Sequence, residues 1–179
     1  MSGEFTQNDG RPERYSYTRI YKSERDIIYR TGASGTYETE HFAYGLLVTR
    51  QAVRNKSRNV PMRFEVTYSP KPEAIMENLS EEPQAITRQV VVDGKLEFPQ
   101  RLAVKLLRRE PLFIGACHYE TQVVQIGPEG AFALSETWTR FWYSSKLRMI
   151  LKKEAKKTLR DITVVSRHVP DAISVTVAK

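Results

Sequence analysis

Ser135–Arg160 reads SETWTRFWYSSKLRMILKKEAKKTLR, and it decides the expected fold class because it is the longest helix candidate in the chain. Ser135 can cap a first turn, and Glu136 complements the positive end of a helix starting there. Trp138, Phe141, Trp142, Ser145 and Met149 share one helical face. The apolar stripe then passes to Leu147, Leu151, Ala155 and Leu159, with a bend near Ser144-Ser145. The spacing predicts one long helix over 135–160.

Upstream, Val60–Tyr68 (VPMRFEVTY) sets Val60, Met62, Phe64, Val66 and Tyr68 against Arg63, Glu65 and Thr67, the period-two signature of a half-buried strand. Pro70 and Pro72 end it, and EAIMENLSEE places Ile75, Met76 and Leu79 on one face of a short helix. Thr87–Val92 runs into the turn dipeptide Asp93-Gly94, with Leu96 and Phe98 beyond, which predicts a hairpin. Arg101–Arg109 (RLAVKLLRR) has Leu102, Leu106 and Arg109 at helical spacing and stops before Pro111, so a second short helix is expected. Leu112–Ile126 reads as a strand closed by Gly127-Pro128-Glu129-Gly130, and His41–Thr49 (HFAYGLLVT) as a strand entering a basic loop. Short strands are expected between Tyr15 and Tyr37, and two closing strands at Ile162–Val165 and Ala172–Val177. Residues 1–14 are polar and predict a disordered arm, leaving 15–179 as a single globular domain. The expected class is α+β: a largely antiparallel sheet packed against one long helix from the C-terminal half and one or two short helices.

The 179 residues are 40% apolar, enough for one core. A net charge of +7 and a pI near 9.5 favour acidic partners: nucleic acid, anionic lipid or an acidic protein face. The single cysteine, Cys117, excludes an internal disulfide and reads as a small core residue in a reducing compartment. With three histidines it leaves no Cys/His zinc site of familiar spacing, so no metal or other cofactor is expected. No apolar run approaches the about 18 residues of a membrane span, and neither a signal pattern nor a lipidation motif is legible, so any membrane would be met from its cytoplasmic side.

Basic residues are the main candidates for function. Between 140 and 160, Arg140, Lys146, Arg148, Lys152, Lys153, Lys156, Lys157 and Arg160 face Glu154 alone, a net +7. On a helix, Lys152, Lys153, Lys156, Lys157 and Arg160 gather opposite Leu151, Ala155 and Leu159, a face suited to polyanions; a solvated helix face is the plainer alternative. Arg50, Arg54, Lys56 and Arg58 form a second cluster on the expected loop. No catalytic constellation is legible: His41, His118 and His168 lack partners in any known signature, and the glycines form no phosphate loop.

Arg108-Arg109-x-Pro111, Phe113-Ile114-Gly115, Trp138-Thr139-Arg140-Phe141, Ser144-Ser145-Lys146 and Leu159–Val164 follow one another in an order and at separations that resemble the carboxyl-terminal part of rhabdovirus matrix proteins. The resemblance covers residues 108–164, about a third of the chain. It implies an α+β core and a non-enzymatic structural role: self-association into an oligomer or polymer, condensation of the viral nucleocapsid, and linkage to the anionic membrane and the viral glycoprotein during budding. It implies a place in the virion between envelope and nucleocapsid, and in the host cell in the cytoplasm and peripherally at internal membranes, with the nucleus as a further compartment. The short length is similar to the plant-infecting branch. Residues 1–14 carry neither the lysine-rich arm nor the Pro-Pro-x-Tyr motif of better known members. Two other readings compete. One is a viral RNA-binding protein such as a silencing suppressor, using the same basic residues on RNA; the other is a small enzyme with a pocket near His118 and Glu120.

Overall fold

Residues 135–160 do not coil. The computed structural model describes residues 2–6, 12–20, 26–31, 37–54, 60–129, 137–159 and 162–172, and within it Trp138–Ser144 and Met149–Leu159 are antiparallel strands joined by a turn. The strands are β1 (Ser2–Thr6), β2 (Pro12–Ile20), β3 (Asp26–Thr31), β4 (Tyr37–Ala43), β5 (Leu47–Arg54), β6 (Met62–Ser69), β7 (Gln84–Val92), β8 (Lys95–Leu96), β9 (Gln100–Ile114), β10 (Cys117–Pro128), β11 (Trp138–Ser144), β12 (Met149–Leu159) and β13 (Ile162–Ala172). Among the described residues the sole helix is α1 (Pro72–Glu77), six residues long. The sheet order is β6-β5-β4-β3-β2-β1-β13-β12-β11-β10-β9-β7-β8, and β6 also pairs with β7. Every strand except β8 therefore lies in a ring of antiparallel ladders that closes on itself, which leaves few free edges.

This architecture corrects the α+β expectation and its long helix. Leu147, Leu151, Ala155 and Leu159 are four apart, and a spacing of four keeps side chains on one side of a regular strand as well as of a helix. The stripe is therefore ambiguous, and pairing decides it: β11 is hydrogen-bonded on one side to Gln122–Ile126 and on the other to β12, which in turn pairs with β13. Lysine-rich composition is a weak prior that two flanking ladders override. The second expected helix, Arg101–Arg109, lies inside β9 and pairs along β10 and β7. Two expected strands are in fact hairpins. Leu112–Ile126 turns at Gly115 (φ 57°), and His41–Thr49 turns at Tyr44 (φ 56°) and Gly45 (φ 71°).

Other elements lie near where the sequence placed them. β6 alternates half-buried and exposed residues along its length, α1 begins at Pro72, and β7 turns into β8 at Asp93 (φ 47°) and Gly94 (φ 80°). Residues expected to form an arm include β1 and the start of β2, held by main-chain pairing that asks little of side-chain composition. The closing segments are one strand, β13, as far as Ala172; residues 173–177 lie outside the described set.

One end of the ring is packed shut. Leu46, Leu47, Ile75, Ile86, Val104, Val124 and Tyr143 form its buried cluster, with Ile75 of α1 wholly enclosed. Here the β4–β5 turn presses on the β11–β12 turn. The Tyr143 hydroxyl donates to the Tyr44 carbonyl at 2.7 Å, and a Cβ on Gly45 would overlap the Arg148 carbonyl. Positive φ and close approach together require glycine at position 45.

Candidate ligand cavity and the basic face

Away from this packed end the strands enclose a cavity of about 790 Å3. Phe64, Val66, Val90 and Val92 form the β6–β7 wall, Phe42 and Val48 extend it through β4 and β5, and Phe141 and Ile150 come from β11 and β12. Leu46 and Met149, both buried, close the floor. Glu97, Phe98 and Pro99 line the cavity on the segment between β8 and β9, where Phe98 is 90% exposed. The polar lining consists of Glu40, Gln51, Arg88, Glu97, Gln100, Thr139 and Lys153. A mostly apolar hollow of this size with a few polar groups is the usual form of a small-molecule site, which spans about 300–1,000 Å3.

Two register shifts decide which polar groups enter it. On β11–β12, Trp142 faces Lys152 but Tyr143 faces Ile150, so Leu151 is an extra residue in β12 and Ile150 and Lys153 line the same cavity. On β4–β5, His41 faces Arg50 but Phe42 faces Val48, so Thr49 is extra and Val48 and Gln51 both line the cavity. Thr49 steadies its bulge by donating its hydroxyl to the His41 carbonyl at 3.1 Å. A β-bulge re-aims the side chains that follow it, and here each delivers a polar group to an otherwise apolar wall. Gln51 donates to the Glu40 carboxylate at 3.1 Å, and Arg88 Nε to the Gln100 side-chain oxygen at 3.0 Å. Next to Arg88, Tyr68 donates to the Val48 carbonyl at 2.9 Å, and burial pushes its phenol up to about 12 although Arg88 pulls the other way.

The opposite face of β11 and β12 is charged and crosslinked. Arg140 stacks 3.9 Å from the centre of the Trp138 ring and donates to the Gln125 side chain at 2.8 Å. Lys152 lies 3.7 Å from the centre of the Trp142 ring and pairs with Glu154 at 3.0 Å, and Glu154 also takes Arg167 at 3.1 Å. The Trp142 indole donates to Glu110, which is paired with Arg108 at 2.7 Å. The hydrogen bond from Arg108 holds the Glu110 carboxyl below its ordinary range, while burial lowers the Arg140 guanidinium.

The basic residues expected on one helical face are thus divided by strand alternation. Arg140, Lys152 and Lys156 are half-buried on the crosslinked face, whereas Lys153 and Lys157 are exposed on the other side of β12. Lys146 is exposed in the turn after β11. Arg50, expected on a loop, is exposed on β5; Arg54 ends that strand, but its side chain lies outside the described set. Lys56, Arg58 and Arg160 also lie outside the described residues. Cys117, read as a core residue, is instead exposed beside the Gly115 turn.

Near His118 and Glu120 there is a hollow of about 550 Å3, also lined by Arg109, Glu110 and Thr121, in which His118 and Glu120 are themselves exposed. No group of three or more His, Cys, Asp or Glu side chains is gathered as for a metal among the described residues. The cavity's apolar wall was partly legible in the alternation of β6; the entry of Gln51 and Lys153 was not, because nothing local in the sequence marks a bulge.

No protein-family model matches the chain, and no curated protein does. Among solved structures, a hypothetical lipoprotein, YmcC, from Escherichia coli K12 is similar with a TM-score of 0.49 at 13% identity, over 97% of this chain and 85% of that one.

Proposed function

We propose that the protein is a non-enzymatic binder that takes the apolar part of a small amphiphilic molecule into the cavity between β4–β7 and β11–β12. The observation that carries this is the combination of a closed floor at Leu46 and Met149, apolar walls, and the exposed Phe98 on the lining segment. An exposed aromatic side chain is unfavourable in water unless it meets an apolar partner, and at a cavity lining it gives an entering ligand its first contact. The hollow has room for a ligand of drug or single-chain lipid size.

The test is fluorescence of the neutral dye Nile red titrated with the full chain. Saturable enhancement with a blue shift, reduced several-fold by Val66→Trp, supports the cavity; no enhancement with correctly folded protein overturns it.

A second reading, docking on an anionic surface, is favoured by the ladder of Arg108, Arg140, Lys152 and Arg167 with its two tryptophans. The segment resembling matrix proteins, 108–164, is a succession of strands β9–β13 here, and the α+β core implied by that likeness is replaced by a closed sheet. The matrix role is therefore carried by motif order alone. Salt-dependent sedimentation with anionic vesicles, accompanied by polymer growth, would favour it. Discrete saturable complexes with short RNA would favour the RNA-binding alternative instead.

A further inference from the structure

Resting on the cavity reading, we infer that the ligand carries an anionic head group, received by Lys153 and Arg88. The two faces of β12 treat their cations differently. On the crosslinked face Lys152 and Arg167 converge on Glu154. On the cavity side Lys153 has no carboxylate within ion-pair distance among the described residues; its ammonium lies 5.9 Å from the centre of the Phe141 ring. Arg88, from β7, is likewise bound to a neutral partner, Gln100, through Nε.

Two carboxylates also line the cavity, but neither takes up these cations. Glu40 accepts the Gln51 amide, and Glu97 is exposed beside Phe98 with its backbone tied to the Val90 carbonyl at 2.9 Å. The apolar cavity therefore presents cations held by rings and amides, which leaves their charge available to an incoming oxyanion. The bulge at Leu151 is what turns Lys153 to this side; if Leu151 were paired in a regular ladder, alternation from Ile150 would put Lys152 and Glu154, and not Lys153, on the cavity wall. A carboxylate or phosphate head beside Lys153 and Arg88, with its tail against Phe64, Val66 and Phe141, satisfies both halves of the lining.

The experiment displaces Nile red from the full chain with dodecanoate, dodecanol and dodecylammonium, each below its micellar concentration. The readout is the ratio of displacing concentrations. Dodecanoate is expected to act at about tenfold lower concentration than dodecanol, as one charge-assisted hydrogen bond supplies, with dodecylammonium weakest. Lys153→Gln together with Arg88→Gln should collapse that ratio toward one, while Lys157→Gln, also exposed but not lining the cavity, leaves it unchanged. If acid and alcohol displace equally, if the ammonium is strongest, or if the double variant keeps the acid preference, the head-group assignment falls and the cavity reading remains. If the wild-type chain binds no Nile red, the cavity reading itself fails. Circular dichroism confirms that each variant is folded.

Discussion

The two ends of the closed sheet use the same strands for opposite purposes. At one end Ile86 of β7 and Tyr143 of β11 meet Ile75 of α1 in a solid cluster; farther along the same strands, Val90 and Phe141 face a hollow. The difference lies in what is laid across the lumen. Helix α1 and the opposed turns at 44–46 and 145–148 fill the packed end with side chains and main chain, whereas across the cavity no described segment does so. Stability should therefore reside at the first end and ligand specificity at the second, as is usual when a rigid scaffold carries a site.

That division can be broken by measurement. The largest effect is expected at the packed end: Ile75→Ala leaves a cavity where nothing is exposed and should cost about 2–5 kcal/mol in denaturant unfolding. Phe64→Ala at the hollow end removes a side chain that already borders open space and should cost only about 1–2 kcal/mol, while weakening Nile red binding several-fold. Equal costs for the two would mean that the hollow end is as well packed as the other.

Tyr68 lies where the two regions meet, packed against the buried cluster and paired across strands with Arg88. Its folded-state ionisation is raised from the ordinary 10.0 to about 12, so the unfolded chain loses that proton first. Stability from this group is full below pH 10 and falls as pH rises from 10 to about 12. Tyr68→Phe should flatten that alkaline loss in pH-dependent unfolding, at a cost of about 1 kcal/mol at neutral pH for the bond to Val48. An unchanged alkaline slope would show that another group controls it. The smallest effect on stability belongs to Phe98→Ser, within about 0.5 kcal/mol because the ring is exposed. The same change should still slow dye uptake in stopped-flow fluorescence; unaltered uptake would remove Phe98 from the entry route.

Parts of both regions are legible in the sequence. Alternation in Met62–Tyr68 marks a strand with one apolar side, and Asp93-Gly94 marks the hairpin turn, since both signals depend on neighbours along the chain. The lysines of β12 are legible as a cluster, but their division between two faces is not. Lys152 and Lys153 are consecutive, so only the strand assignment and the bulge before them say which one meets Glu154 and which meets the cavity.

The sequence by itself determined the basic charge, the single thiol's freedom from any internal disulfide, the β6 alternation and the turn at Asp93-Gly94. It pointed 135–160 to a helix that does not form, because a four-residue stripe satisfies helix and strand alike and local propensity leaned toward the helix. Tertiary structure decided the rest: β10 and β13 supplied the ladders that drew 138–159 into the sheet, and closure of β6 on β7 made the lumen. Ring closure and bulge placement depend on hydrogen-bond partners tens of residues away, and those partners exist only once the chain has folded.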